Sequence, residues 1–340
     1  MEVTVVIPTL NARALLAGAL ASLDAQTRPA SVVVVDNASS DGTAELVREC
    51  FPHVRLVRNE QNLGFGRAIN RGVREAEGEV LVLVNNDVVC APDFLERLCE
   101  PFVESEVGMA AGVLLQAPSG RIDSAGIELD ATLRSYDLLW NDPVELLADG
   151  AAPVGPCGGA AAYRLSAFRE LGGFDEALFA YWEDVDLALR FREAGWRCVL
   201  VSEARAEHRH GATLGAASPA QRRLEAFGRA YLLGKYRVAR GRPFLRLAVV
   251  LVDWPALLVH LLVRREPGPI RERLRGLRAG RRQLPHRAPL ELATVSVRKA
   301  LRRQWSFLRL RATGTLPAHF GEHGPARPTA PPGTRRSGRG

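Results

Sequence analysis

The stretch Glu79-Val80-Leu81-Val82-Leu83-Val84-Asn85-Asn86-Asp87 decides the fold. An unbroken Val/Leu run of this length marks a strand buried on both faces, as in a parallel sheet covered by helices. Ligands of open α/β sheets bind beyond the carboxyl ends of such strands. This run stops at two amides and a carboxylate. Hard divalent cations prefer oxygen ligands and leave coordination positions for substrate phosphate. Asp87 is therefore a candidate to hold a metal against a diphosphate. Asn and Asp also favour turns, and the junction taken alone fits either reading.

The flanking sequence repeats the pattern. Val3–Ile7 reads as a strand broken by Pro8-Thr9-Leu10-Asn11, and Leu15, Leu16, Ala19, Leu20 and Leu23 follow at helical spacing. Val32–Val35 is a second strand, ending at Asp36-Asn37. Ser39-Ser40-Asp41-Gly42-Thr43 offers N-cap candidates for a helix over Ala44–Cys50. Val54–Val57, a helix over Gly64–Ala76, the strand Val80–Val84 and a helix over Pro92–Phe102 complete the series. Repeated βα units predict an α/β fold with a mostly parallel sheet and right-handed crossovers. Further on, Met109–Leu115 and Ala160–Tyr163 read as strands and Arg121–Trp140 as a loop or hairpin. Leu165–Leu171 and Tyr181–Ala194 read as helices, and Cys198–Val201 as a last short strand.

Residues 218–310 read as helical. Phe244–Val263 is the most apolar stretch, but Arg246, Asp253 and His260 are spaced seven apart and share one helix face. Charge at a bilayer centre is costly, so an in-plane amphipathic helix or a helix packed on the domain is expected instead of a span. Pro255 should kink it. Three parts are expected: a catalytic α/β domain over 1–215, a basic helical extension over 216–312 that contacts a membrane surface, and a disordered tail over 313–340.

Charge is unevenly distributed. Residues 1–263 hold 34 acids against 26 bases, whereas 264–340 hold 4 acids against 19 bases. The acidic first part argues against nucleic acid as a partner. The basic tail suits either an anionic membrane surface or plain solvation. The five scattered cysteines form no Cys-x-x-Cys pair, so a reducing compartment is expected in place of a disulfide framework. Met1 leads directly into the first strand, and no secretory leader is expected.

Three strand ends are polar: Pro8-Thr9-x-Asn11, Asp36-Asn37 and Asn85-Asn86-Asp87. In a parallel sheet they converge on one edge, where they would suit a nucleotide. Asn59-x-x-Asn62-x-Gly64-x-Gly66, with Asn70 beyond, puts glycines at a helix start, where backbone N–H groups can approach phosphate. Gly172-Gly173-Phe174-Asp175-Glu176 leads to Tyr181-Trp182-Glu183-Asp184-Val185-Asp186. Acids beside aromatics suit general-base chemistry on a sugar, because aromatic faces bind sugar rings and burial raises carboxylate basicity. Acids at a helix N-terminus also simply answer the macrodipole. His208-x-x-Gly211-x-Thr213 adds an imidazole that is either structural or a metal ligand.

Read in order, these segments resemble family 2 inverting glycosyltransferases of the GT-A fold, and within them the bacterial rhamnosyltransferase-like branch. The likeness rests on Val5-Val6-Ile7-Pro8-Thr9-Leu10-Asn11, Val35-Asp36-Asn37-x-Ser39-x-Asp41-Gly42, Asn59-x-x-Asn62-x-Gly64-Phe65-Gly66-x-Ala68-x-Asn70, Asn85-Asn86-Asp87, Gly173-Phe174-Asp175-Glu176 and Glu183-Asp184-Val185-Asp186. It covers roughly residues 2–215. The resemblance implies a nucleotide-sugar donor held by Pro8, Thr9, Asn11, Asp36, Asn37, Asn62, Asn70, Asn85 and Asn86. It implies Mg²⁺ or Mn²⁺ at Asp87, the last position of the family's Asp-x-Asp motif, with His208 as a further ligand. Asp184 would be the base with Glu183 beside it, and Gly159, Tyr181 and Trp182 would face the acceptor. Asn85 departs from the motif, where many members carry Asp, and removes one negative charge.

The implied enzyme is a peripheral protein on the cytosolic face of the membrane. It would move rhamnose or another hexose, with inversion, to a glycan or polyprenyl-diphosphate-linked acceptor. Two rivals are weighed. A sugar nucleotidylyltransferase would need a Gly-rich basic loop after the first strand, but Pro8–Leu15 holds one Arg and no Gly. A non-catalytic binding module would not need both Asp87 and the Glu183-Asp184 pair.

Overall fold

Alternation along the Val-rich strands divides the apolar side chains into two layers. The computed structural model describes residues 1–147, 152–209, 218–238, 240, 242–258, 267–284, 286 and 290–296. In it β1 (Val3–Thr9), β2 (Ser31–Asp36), β3 (Arg55–Arg58) and β4 (Val80–Val84) form a parallel half-sheet. Val6, Val33, Val35, Leu81 and Leu83 share one apolar cluster with Ile69 of α3 (Phe65–Val73), Phe168 of α5 (Leu165–Glu170) and Phe191 of α6 (Glu183–Glu193). Val5, Ile7, Val32, Val34, Val82 and Val84 share the other with Leu16 and Leu20 of α1 (Arg13–Asp24), Val47 of α2 (Thr43–Cys50) and Phe94 of α4 (Phe94–Cys99). Each side chain fully buried in this way contributes about 1.5–3 kcal/mol.

The sheet is mixed. It continues from β4 through β10 (Ala160–Arg164), β6 (Val107–Gln116), β11 (Arg197–His208) and β5 (Val88–Cys90), with β7 (Ile122–Ser124) attached to β6. β10 is antiparallel to both neighbours, and β5 is antiparallel to β11. The last strand does not stop at Val201. A register shift between Leu200 and Arg205 lets β11 pair again with β6 and run on to His208.

The expected hairpin region also holds β8 (Ile127–Asp130) and β9 (Ser135–Asp137), which form a second sheet with β12 (Ala293–Val295). The C-terminal stretch is therefore not purely helical, since β12 pairs parallel with β8.

Three helices follow the main sheet: α7 (Pro219–Lys235), α8 (Pro243–Leu258) and α9 (Gly268–Arg281). Tyr231 and Leu232 of α7 and the following Tyr236 belong to the same apolar cluster as the sheet. Asp253 of α8 docks inward, as a helix packed on the domain requires. It is buried against Arg134, Arg229 and Arg273, and attraction to three guanidinium groups turns it inward. Phe244, Leu247, Val250 and Leu251 are left exposed on α8. Pro255 sits in the last turn of α8 and does not end it. Among the described residues no helix is long and apolar enough to cross a membrane. His260, Gly211, Thr213 and the segment 313–340 lie outside the described residues.

Candidate active site

Register brings the polar strand ends together. Thr9 pairs with Asp36 across β1 and β2, and Pro8 with Val35. Asn86 Nδ2 donates to Thr9 Oγ1 at 3.0 Å, which ties the end of β4 to the same edge. Thr9, Asp36, Asn37 and Asn86 are all buried. Asp36 Oδ1 accepts from the Ser39 amide at 2.8 Å. Asp36 Oδ2 has no hydrogen-bond partner, although Arg58 Nε stands 3.2 Å away. A buried carboxylate oxygen left this way is an acceptor waiting for a donor. Asn11 sits at the exposed rim, where its Oδ1 accepts from the Ser40 amide at 2.8 Å.

Two expected donor residues are used locally. Asn62 Oδ1 caps the turn by accepting from the Gly64 amide at 2.9 Å. Gly64 has φ +84°, and its α-carbon packs against Phe179, so no side chain fits there. Asn70 is the second. Its Oδ1 accepts from the Phe174 amide and its Nδ2 donates to the Phe174 carbonyl, both at 2.9 Å. It fastens the Gly-Gly-Phe-Asp loop to α3 and does not reach the strand-end corner with a free amide.

Asp87 and His208, far apart in sequence, are neighbours. The antiparallel pairing of β5 with β11 sets His208 opposite Val88, and His208 Nε2 lies 3.3 Å from Asp87 Oδ1. On its other side His208 Nδ1 is 2.8 Å from Oδ2 of Asp123, a buried residue of β7. Burial pulls the imidazole pKa down, but hydrogen bonds to Asp123 and Asp87 outweigh this and raise it to about 9. Asp123 was not expected from sequence. It falls in a three-residue strand inside the segment read as a loop, and only the fold brings it to the histidine. Asp137 of β9, an exposed carboxylate, is likewise within electrostatic reach of Asp123, Asp184 and His208.

The acidic segment starts its helix later than expected. α6 begins at Glu183, and Tyr181 and Trp182 hold left-handed backbone at φ 68° and 75°. Asp184 Oδ2 accepts from the Gly158 amide at 3.4 Å and Oδ1 from the Val185 amide at 2.8 Å. Glu183 is buried, and its Oε2 has no hydrogen-bond partner. Burial first, and then the Asp184 charge, push Glu183 up to about 8. Burial also raises Asp184, against the backbone hydrogen bonds that favour its ionised form. Burial and the Asp184 charge thus favour a protonated Glu183 beside Asp184.

The turn at 157–159 joins the two corners. A Cβ on Gly159 would stand 3.0 Å from Leu114 Cδ1 and 3.3 Å from Asn85 Nδ2. Gly159 thus lets the head of β10 lie directly on the end of β4, while Gly158 reaches Asp184. Burial and the nearby Asp137 and Asp184 push the thiol of Cys157, in this turn, well above its ordinary value. Two protein donors 3.3 Å apart, Asp87 Oδ1 and His208 Nε2, suit one divalent cation whose other positions go to phosphate oxygens and water. Asp123 would hold the ring in the tautomer that presents Nε2. Among the described residues no group of three or more His, Cys, Asp or Glu side chains could hold a metal by itself. The donor set therefore fits a cation shared with a substrate.

Known proteins resemble this chain in sequence and in fold. The pattern of glycosyl transferase family 2 matches residues 4–172. The N-acetylglucosaminyl-diphospho-decaprenol L-rhamnosyltransferase of Mycobacterium tuberculosis is 33% identical over 221 residues, which cover 58% of this chain and 72% of that protein. The O-antigen chain rhamnosyltransferase of Salmonella typhimurium is 26% identical over 220 residues, covering 63% and 68%. The structure of a mannosyltransferase from Pyrobaculum calidifontis, solved with GDP-Man and Mn²⁺, superposes with a TM-score of 0.55 at 22% identity, covering 94% of this chain and 84% of that one. A GalNAc-T7 structure with UDP, GalNAc and Mn²⁺ also reaches 0.55, at 16% identity over 72% and 52%. Both share the mixed α/β fold.

Burial of Glu183 sets a pH dependence of stability. Its native pKa near 8 lies above the ordinary 4.5, so the folded state binds the extra proton between these values. Stability from this group is fully present below 4.5 and lost as pH rises through about 8. Glu183→Gln is expected to remove that loss. Melting temperatures of variant and wild type should diverge, in the variant's favour, between pH 5 and 8. Parallel curves would show that Glu183 ionises freely.

Proposed function

Because the chain belongs to glycosyl transferase family 2 and is a glycosyltransferase, we propose that it transfers rhamnose or another hexose from a nucleoside diphosphate. The acceptor is a hydroxyl of a glycan or lipid-linked saccharide in cell-surface polysaccharide synthesis, and the anomeric carbon inverts. Family membership removes the nucleotidylyltransferase alternative. The observation that carries the proposal is the turn at 157–159. It sets the Asp87–His208 corner beside Asp184, at the strand ends that hold Thr9, Asp36 and Asn86.

The donor's nucleoside lies at Pro8, Thr9, Asn11, Asp36 and Asn37, with Asp36 Oδ2 accepting from the base. Asn85 and Asn86 line the path to the diphosphate. Asp87 and His208 hold a divalent cation, Mg²⁺ or Mn²⁺. When bound, such an ion neutralises charge developing on the leaving diphosphate. The name of the mycobacterial relative supports a rhamnosyl donor and a polyprenyl-diphosphate-linked acceptor.

Asp184 takes the proton from the acceptor hydroxyl as that oxygen attacks the anomeric carbon from the face opposite the diphosphate. A single displacement inverts configuration. Burial raises the basicity of Asp184 toward the working pH. Neutral Glu183 leaves one negative charge at the pair, so the base is not opposed by a second carboxylate. Tyr181 and Trp182 offer aromatic surface to the acceptor sugar. Gly159 acts by having no side chain.

The exposed row Phe244, Leu247, Val250 and Leu251 on α8, beside basic α9 with Arg278 and Arg281 in its last turn, supports peripheral contact with an anionic bilayer on the cytosolic face. Apolar side chains would enter the interface while arginines meet the headgroups.

Asp184→Asn is expected to keep donor affinity and lose at least about 10²-fold in turnover. Near-normal turnover would remove Asp184 from the role of base. Chelation should abolish transfer, and Mn²⁺ or Mg²⁺ should restore it to wild type but much less to His208→Ala. Undiminished transfer in chelator would end the metal assignment. Wild-type protein should sediment with anionic vesicles and be released by high salt as charges are screened. The Phe244→Ser, Leu247→Ser double variant should sediment less. Protein wholly in the supernatant at low salt would rule out membrane contact.

A further inference from the structure

Tyr181 and Trp182 both carry side chains, yet both hold left-handed backbone, at φ 68° and 75°. Such conformations are disfavoured and persist only where surrounding structure over-determines them. The determining element is α7. A Cβ at Gly228 would stand 2.7 Å from Trp182 Cδ1 and 3.0 Å from the Tyr181 carbonyl oxygen. The helix backbone therefore lies directly on the strained pair. Next to it, the Arg229 guanidinium stands 5.5 Å from the Trp182 ring centroid. Its two Nη atoms donate to Thr132 O at 2.7 Å and Thr132 Oγ1 at 2.9 Å.

Nearly two turns further, Lys235 Nζ meets Asp186 Oδ1 at 2.7 Å and Asp175 Oδ2 at 2.8 Å. The helix cannot retreat, because α9 backs it. A Cβ at Gly276 or Gly280 would collide with the Phe227 or Tyr231 carbonyl, and one at Gly234 would stand 2.7 Å from the Leu277 carbonyl oxygen.

We propose that α7 positions the catalytic base: Gly228 and Arg229 hold Trp182 where its carbonyl and indole fix the first turn of α6 and so the direction of Asp184. The coupling is short. The Trp182 carbonyl accepts the Asp186 amide at 3.0 Å, the opening hydrogen bond of α6. Asp184 lies between those two residues. A shift of Trp182 tilts that turn and draws Asp184 away from the acceptor oxygen. Displacement on the order of 1 Å from the reactive geometry can cost about 10²-fold in rate. The proposal rests on Asp184 being the base.

Gly228→Ala tests it. Alanine is a better helix former than glycine, so a purely scaffolding role predicts a folded, active variant. The added methyl instead meets Trp182 at a distance that side chain cannot accept. We expect kcat to fall at least about 10-fold, donor KM and nucleotide affinity to stay within about twofold, and the melting temperature to stay close to wild type. Asp184→Asn is run in the same assay. If Asp184→Asn is inactive and Gly228→Ala keeps full kcat, the positioning role is overturned while the base assignment stands. If Asp184→Asn is fully active, the base assignment fails and the proposal fails with it. Should Gly228→Ala not fold, Arg229→Met reads the same split. Asp253 keeps Arg134 and Arg273 in that variant, so the loss of Arg229 does not strand a buried carboxylate. Full kcat in folded Arg229→Met overturns the proposal.

Discussion

The site depends on the close approach of Gly159 to Asn85. β10 enters the sheet against the grain, antiparallel to β4, and its first residues must pass over the end of that strand. A Cβ at 159 would press on side-chain atoms of Leu114 and Asn85 at 3.0 and 3.3 Å, so those side chains would have to give. With glycine there, the preceding turn drops low enough for the Gly158 amide to reach Asp184. The end of an early strand and the first turn of a late helix thus become two walls of one cleft.

Electrostatics then govern what the cleft can hold. Asp87 and Asp123 flank His208, and Glu183 adjoins Asp184. Packing so many carboxylates together is unfavourable unless some are neutral or paired. Glu183 responds by keeping its proton. His208 responds by taking one between Asp87 and Asp123. A divalent cation can replace that proton, because Nε2 already points at Asp87 and Nδ1 is already held. Under the proposed metal role, Asp123 would prepare this corner without touching the ion.

Much of this was legible in sequence where a residue's role follows from its strand. The run Val80–Val84 was read to the residue, and the polar ends of β1, β2 and β4 converge as a parallel sheet requires. The Glu183-Asp184 pair stood out because acids followed aromatics. What escaped depended on pairing between distant segments. β11 looks finished at Val201 because Ser202-Glu203 interrupts its apolar pattern, yet a register shift carries it to His208. Asp123 sits on a strand too short to show periodicity. Asn70 matches a donor-side motif, but its amide closes on Phe174, a partner 104 residues away. Local pattern reveals which side chains are polar and not which backbone they will meet.

The same limit explains the C-terminal helices. Polar residues every seventh position look like a solvated stripe, and on an isolated helix they would be one. Here Asp253 meets three arginines from the β8–β9 loop, α7 and α9. Their mutual repulsion makes a buried carboxylate the natural filler. With Asp253 docked, Phe244, Leu247, Val250 and Leu251 of the same helix face outward. Asp253 also ties α8 to Arg229, whose guanidinium lies over Trp182. An apolar surface at the periphery and the strained pair at the head of the acidic helix are therefore joined through one arginine.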